Sequence, residues 1–400
     1  MSVQDSSSLP HVRPKGDDRA AWHDYWQHLG QPWRTEPEID EERQQYLAER
    51  QAITLDTEKG IFPFKDIKLS RADVEWLLAR HENGRGPVDW GDASQWERNW
   101  VDLRGANLEG ASLEGLNFTR GHLEEINLRE ASLQSAKLIR ARLEGAVLAD
   151  ANLEGADLRG AHLEEVHLLR ACVAGANLQR VFFNIVTNLD RTAFTNAKGG
   201  SALLAGVHWN GVDLSMVDWS TVKVLGDESK ARQQKKPEGS AKSKDEHLQE
   251  YEKAVRANRR LATELQSQGL NEDAACFAYR AQKLQRGVMR FQHKYIQYLF
   301  SLLLDLLAGY GYRPIRTLLW YVLVVGGFAT AYAFSGHLPA LPDALVYSLT
   351  SFHGRGFFPG LGSETTLHNT LVVLAAAEAV IGLFIEISFI ATFTQRYFGK

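Results

Sequence analysis

The chain has 400 residues, room for two or three domains, and a net charge of −4, which excludes a general electrostatic affinity for nucleic acid. Cys172 and Cys276 are too few and too far apart for a disulfide framework or a zinc motif. The mean hydropathy of −0.28 averages a polar front part with an apolar final quarter.

Residues 1–20 are polar with Pro and Gly and read as a disordered tail. They lack the apolar stretch of a signal peptide. Residues 21–100 hold seven of the ten tryptophans, Trp22, Trp26, Trp33, Trp76, Trp90, Trp96 and Trp100. This composition predicts a small helical cap with Trp anchors in its core. Ser70-Arg71-Ala72-Asp73 is a capping-box start for one of its helices.

From Val101 the chain runs in strict fives: "VDLRG ANLEG ASLEG LNFTR GHLEE" and on to Ile185. Seventeen units carry Leu, Phe or Val at the centre, and eleven carry Ala first. A period of five suits neither a helix nor a flat strand, and predicts a solenoid that returns two positions per unit to its interior. The pattern A-(D/N)-L-x-x resembles the pentapeptide-repeat family. That resemblance implies a right-handed quadrilateral β-helix, with the central residue and the small residue two before it pointing inward.

Near Val186 the register slips by one and seven further units follow, centred on Leu189, Phe194, Gly199, Leu204, Trp209, Leu214 and Trp219. At the family's four units per coil, 101–221 is expected to form about six coils, roughly 29 Å at ~4.8 Å each. The two tryptophan centres predict a widened, capping end. Twelve acids against nine Lys/Arg over 101–180 are too balanced for DNA mimicry. His122 and His162, two coils apart at the outward second position, read as solvated side chains rather than metal ligands.

Residues 222–244 are charged, with Gly, Pro and Ser, and read as a mobile linker. From 245 to 294 the period becomes helical. Leu248, Tyr251, Val255, Ala262 and Leu265 share one face, and Ala274, Phe277, Ala281, Leu284 and Val288 another. Gly269 ends the first helix and Asn271 caps the second. This is a cytoplasmic helical hairpin, faintly similar to one tetratricopeptide unit.

Residues 295–312 are apolar around Asp305 and flanked by Arg and Lys, as an interfacial helix would be. Gly309-Tyr310-Gly311 reads as a turn into the next helix. Residues 317–334 and 370–394 are apolar and long enough to cross a bilayer, about 27 and 37 Å at 1.5 Å per residue. The segment between them has few basic residues. The positive-inside rule then places both termini and the solenoid in the cytoplasm of a cell whose inner membrane the chain crosses twice. "LPDALVYSLTSF", from Leu341, is too short to span. Within 341–360 it predicts a short helix and loop that dip into the membrane, tolerated where irregular backbone lines a cavity or is buried in protein.

The order span, short helix, Gly-X-Gly, span over 313–400 resembles the two-transmembrane pore module of the potassium-channel superfamily, of bacterial type. The resemblance implies a homo-oligomer, most simply a tetramer, with a selectivity filter at Ser351, Phe352, His353, Gly354, Arg355, Gly356 and Phe357. The two glycines remain, but Phe352, His353, Arg355 and Phe357 stand where the family has threonine, valine, tyrosine and aspartate. These departures predict weak discrimination of potassium from sodium. Arg355 points either behind the loop toward Glu378 or to the axis. On the second span Glu378, Gly382 and Glu386 recur by fours on one face. Glu378 either braces the loop or serves conduction. Glu386 either adds to a cation-selective ring or bonds a neighbouring helix. Gly382 is a hinge or a close-packing site.

The whole reads as a multidomain chain: β-helix, helical hairpin and all-α two-span pore domain. The expected function is an ion channel whose cytoplasmic part senses a ligand or partner, or assembles subunits. A non-conducting, membrane-anchored scaffold is the alternative. Membrane lipid and permeant ions are the expected partners, with no nucleic acid. The sequence offers no nucleophile–base set, phosphate loop or metal spacing, so neither an enzyme nor a cofactor is expected.

Overall fold

The computed structural model describes residues 13–84, 101–198, 200–236, 238–334, 340–354 and 370–397. The chain divides into two compact units, 1–274 and 275–400. The division falls inside the hairpin that the sequence suggested as one domain.

The first unit begins with three helices, α1 (Arg19–His28), α2 (Glu41–Gln51) and α3 (Arg71–Gly84). Trp22, Trp26 and Trp76 are buried, as anchors should be, while Trp33 is only half-buried; Trp90, Trp96 and Trp100 lie outside the described residues. Ser70 and Asp73 form the reciprocal box at the start of α3: each backbone N–H donates to the other's side chain, at 2.8 and 3.2 Å. Glu75 is fully buried, and its carboxylate accepts from the Thr35 and Glu36 amides and from Arg71 Nε at 2.7 Å. Those donors offset the cost of removing the charge from water.

Residues 101–194 wind into a four-sided rod. Each unit buries its central residue and, Ala111 apart, its first, bridges neighbouring coils at the second and turns at the fourth and fifth. The bridges are parallel and link i to i+20: Asp102 to His122, Asn107 to Asn127, Ser112 to Ser132, Asn117 to Lys137. Four fives close one coil. The bridges are single-residue contacts, and no longer strand forms among the described residues. The fifth residue of each regular unit takes a left-handed φ, as Gly155 and Arg140 do, and this explains the frequent glycine there.

The slip at 186 is a true bulge. Asn184 Oδ1 accepts from the Glu165, Val186 and Thr187 amides at 3.0–3.1 Å, and Thr187 replaces the usual alanine, donating to the Leu163 carbonyl at 2.9 Å. His167 then bridges Asn188, 21 residues on. The unit centred on Gly199 departs from expectation. Thr195 and Ser201 pair antiparallel, and the ladder resumes between Asn177 and Leu203, 26 residues apart. One of the six extra residues is the slip, and five form a hairpin outside the coil. The rod therefore has five closed coils, with a sixth begun at His208, rather than six.

Both ends are sealed against edge pairing. At the first, Lys68 adds a parallel bridge to Asn107, and Arg71 donates to the Ser112 and Glu114 carbonyls at 3.1–3.2 Å. At the other, the buried rings of Trp209 and Trp219 meet edge to face in the interior.

Part of the supposed mobile linker is structure: Gly226–Arg232 forms α4, with Asp227 and Glu228 buried. The Asp227 carboxylate accepts from the Leu204 amide at 2.5 Å and from Gln179 Nε2 at 3.0 Å. Burial pushes its carboxyl up to about 6 despite those donors. Helix α5 (Lys244–Ser267) packs on α4, and just beyond it the Gln268 side chain donates to Val212 O and accepts from Leu214 N, both at 2.8 Å. That amide stands in for a missing strand.

The second unit holds most of α6 (Asn271–Phe291), then α7 (Tyr295–Ala308), α8 (Pro314–Phe334), α9 (Leu341–Phe352) and α10 (Thr370–Tyr397). Asp305 on α7 ties three helices together: it accepts from Tyr279 Oη at 2.9 Å and Arg286 at 2.8 Å, with Arg316 at 3.7 Å. Ile296, Leu299 and Phe300 on α7 remain exposed. Gly309–Gly311 is a tight turn with left-handed Gly309 and Tyr310.

Candidate functional site

Ile315–Phe334 and Val372–Ile390 are long and apolar enough to cross a membrane, and only 22 % of each is buried. A core helix of a water-soluble protein would be mostly covered. Here Leu318, Leu319, Val322 and Leu323 on α8, and Val380, Leu383, Phe384 and Ile387 on α10, face outward.

Between these two helices lies α9. Pro342 and Asp343 occupy its first turn, where a missing N–H and a negative charge both suit a helix start. Ala344, Tyr347, Ser348, Ser351 and Phe352 form its buried face, spaced by three and four. The Phe352 ring packs on Val325 of α8 and Ile385 of α10, and Tyr347 meets Tyr332 edge to face at 4.8 Å. Helix α9 ends at Phe352 with His353 as its cap, and Gly354 takes a φ of +65°, in the left-handed region that glycine tolerates.

Glu378 of α10 is fully buried at the centre of this trio. One carboxylate oxygen accepts from Tyr332 Oη of α8 at 2.7 Å. The other is hydrogen-bonded to Ser348 Oγ of α9, which also lies 2.9 Å from the Val325 carbonyl. One acidic side chain thus pins the short helix to both long ones. Both its oxygens have protein partners, as a brace requires. Sequence reading named Glu378 but missed Tyr332 and Ser348. The available signal was the Ala344, Tyr347/Ser348, Ser351 stripe, which places a hydroxyl on the face α9 buries.

Gly382, one turn further, is a close-packing site. A β-carbon there would press on the Phe352 carbonyl oxygen and lie 3.0 Å from its carbon. Another turn on, Glu386 is hydrogen-bonded to His353 Nδ1, both half-exposed, and His353 Nε2 lies 3.4 Å from Tyr321 Oη of α8. The stripe of fours therefore meets α9 at three successive levels. Of the suggested filter, Ser351 and Phe352 turn their side chains into the packing and His353 pairs with Glu386. Arg355, Gly356 and Phe357 lie outside the described residues.

Comparison with known proteins bears on the rod. The family model "Pentapeptide repeats (8 copies)" matches 99–134, 113–148, 126–164 and 146–184. Residues 99–184 carry pentapeptide repeats. Similar solved structures include the pentapeptide-repeat protein Rfr23 from the cyanobacterium Cyanothece 51142, 29 % identical over 28 % of this chain and 64 % of that one, with a TM-score of 0.20. A pentapeptide-repeat protein of the Arabidopsis thaliana thylakoid lumen is 26 % identical over 27 % and 70 %, with a TM-score of 0.19. HetL from Nostoc sp. PCC 7120 is 24 % identical over 33 % and 64 %, with a TM-score of 0.18. The chain thus spans less than two thirds of Rfr23 and of HetL. No curated protein matches it.

Proposed function

We propose that the chain is one subunit of an oligomeric membrane pore that passes cations with weak preference for potassium over sodium. The observation that carries this reading is α9. It has 12 residues, too short to span, and is wedged between two span-length helices on a buried acidic brace. Irregular backbone after such a helix is tolerated at membrane depth where it is packed by protein or lines a cavity. Two spans cannot enclose a pore, so several copies must contribute; four is the number the channel resemblance implies. Topology follows the basic residues, with rod and termini in the cytoplasm of a bacterial-type inner membrane. The rod then serves as the sensing or assembly part.

The rival reading is a membrane-anchored scaffold that does not conduct. It draws on Ser351 and Phe352, whose side chains are committed to packing. Purified protein in liposomes separates the two. Flux in asymmetric KCl and NaCl, with a small shift in reversal potential between the salts, is the expected result, along with a tetrameric mass in detergent. A monomer at all concentrations, or no flux in any salt, would favour the scaffold.

A further inference from the structure

The coil brings together side chains that lie 18 or more residues apart. On one face the second positions of successive coils are Asp102, His122, Arg142, His162, Phe182 and His208. Beside the first four, two residues on, stand Arg104, Glu124, Glu144 and Glu164. Coils are about 4.8 Å apart, so three carboxylates stack at a spacing where like charges repel. Cations on the same face relieve only part of this. Arg104 is held by Asp102 at 2.5 Å. Arg142 Nε leans to Glu124, 3.1 Å away against 3.4 Å from Glu144. Glu164 faces His162, whose Nδ1 lies 3.4 Å from its Oε1. Glu124, Glu144 and Glu164 each keep Oε2 shielded from water and without a hydrogen bond, and of the three only Glu144 and Glu164 have their carboxylates grouped with the His162 ring within 4.8 Å. Such an oxygen offers a place for a water or a cation. The His162 ring is fixed by stacking on Phe182 at 4.8 Å, which stacks on His208 at 4.5 Å.

We propose that Glu144, His162 and Glu164 bind one divalent transition-metal ion of the zinc class. Their donor atoms lie within 4.8 Å of one another. Donors at about 2.0–2.2 Å from one zinc stand about 3.3–3.6 Å apart in a tetrahedron, a contraction that glutamate side-chain rotation supplies. One imidazole with two carboxylates suits zinc, cobalt or nickel, whereas magnesium and calcium take all-oxygen sets. The two carboxylate charges match a dication. All three side chains are partly exposed, which gives an ion access and leaves a position for water. The ion would clasp the third coil to the fourth.

The test uses the full chain in detergent, stripped by a chelator and titrated with ZnCl2 and CoCl2. Expected are one ion per chain at this site, a tetrahedral cobalt absorption band, and a zinc-dependent rise in melting temperature. His162→Ala and Glu164→Gln should each lower zinc affinity at least tenfold and abolish the melting shift, while His28→Ala leaves both unchanged. Equimolar MgCl2 should not compete. Circular dichroism at 25 °C should match wild type for every variant, because His162 and Glu164 sit on the outside of the rod and His28 is exposed at the end of α1. Zinc binding that survives both substitutions, or no zinc binding at all, would overturn the site.

Discussion

The backbone carbonyl of Phe352 lies directly against Gly382, in the space a β-carbon would need. A glycine inside a helix normally costs about 0.5–1 kcal/mol relative to alanine. A free hinge glycine replaced by alanine would therefore gain stability. At this contact Gly382→Ala should instead destabilise the second unit by about 1–3 kcal/mol, because α9 and α10 must separate. Thermal melting in detergent gives the sign, and a rise in melting temperature would restore the hinge.

Glu378 supplies the acceptors for Tyr332 and Ser348 in a buried site. Glu378→Ala should cost about 1–3 kcal/mol, chiefly through the Tyr332 hydroxyl, because the Ser348 hydroxyl keeps the Val325 carbonyl as an acceptor. Glu378→Gln keeps the shape and one oxygen and should cost clearly less. Melting of the two variants side by side checks the brace. Equal losses would mean that the side chain acts by volume alone.

Asp227 gives the first unit a pH dependence. Its folded carboxyl, raised by burial from 3.8 to about 6, holds a proton that the unfolded chain has already released. The contribution of this one carboxyl is therefore full below about pH 4, falls by about 3 kcal/mol as pH rises through 6, then levels. Asp227→Asn should flatten that slope. Hydrogen exchange at the Leu204 amide, measured from pH 4 to 7 and corrected for intrinsic rates, reads it directly. A slope unchanged in the variant would assign it elsewhere.

Leu153 is 1 % exposed inside the rod, and Glu154 is half-buried with an accepted hydrogen bond from Asn196 at 2.7 Å. Leu153→Ala should cost about 2–5 kcal/mol, and Glu154→Ala about 1. Denaturation of the two variants tests the inward register, and equal losses would refute it.

The rod was legible because every five residues restate the same two inward positions, so one error cannot hide the period. Its hairpin was not, since Ala197 keeps the small first residue; the warning was the central Gly199, which offers the interior no side chain. Helix α4 escaped because "GDESKAR" has no apolar period, and its buried acids serve the rod's end rather than a core. In the second unit, spacing alone aligned Glu378, Gly382 and Glu386. Their partners could not be read, because Tyr332 and Ser348 stand 46 and 30 residues from Glu378 and meet it only through packing.

A coil of 20 residues makes length a counted quantity in this chain. Insertion of one whole coil, 20 residues in register, would lengthen the rod by about 4.8 Å and leave both sealed ends as they are. Five residues cannot be absorbed that way without turning every later side chain to the next face. The hairpin between Thr195 and Ser201 shows the alternative: the surplus is put outside and the winding continues on its original faces. Gain and loss of sequence in the rod are thus tolerated in two sizes, a full turn or a loop.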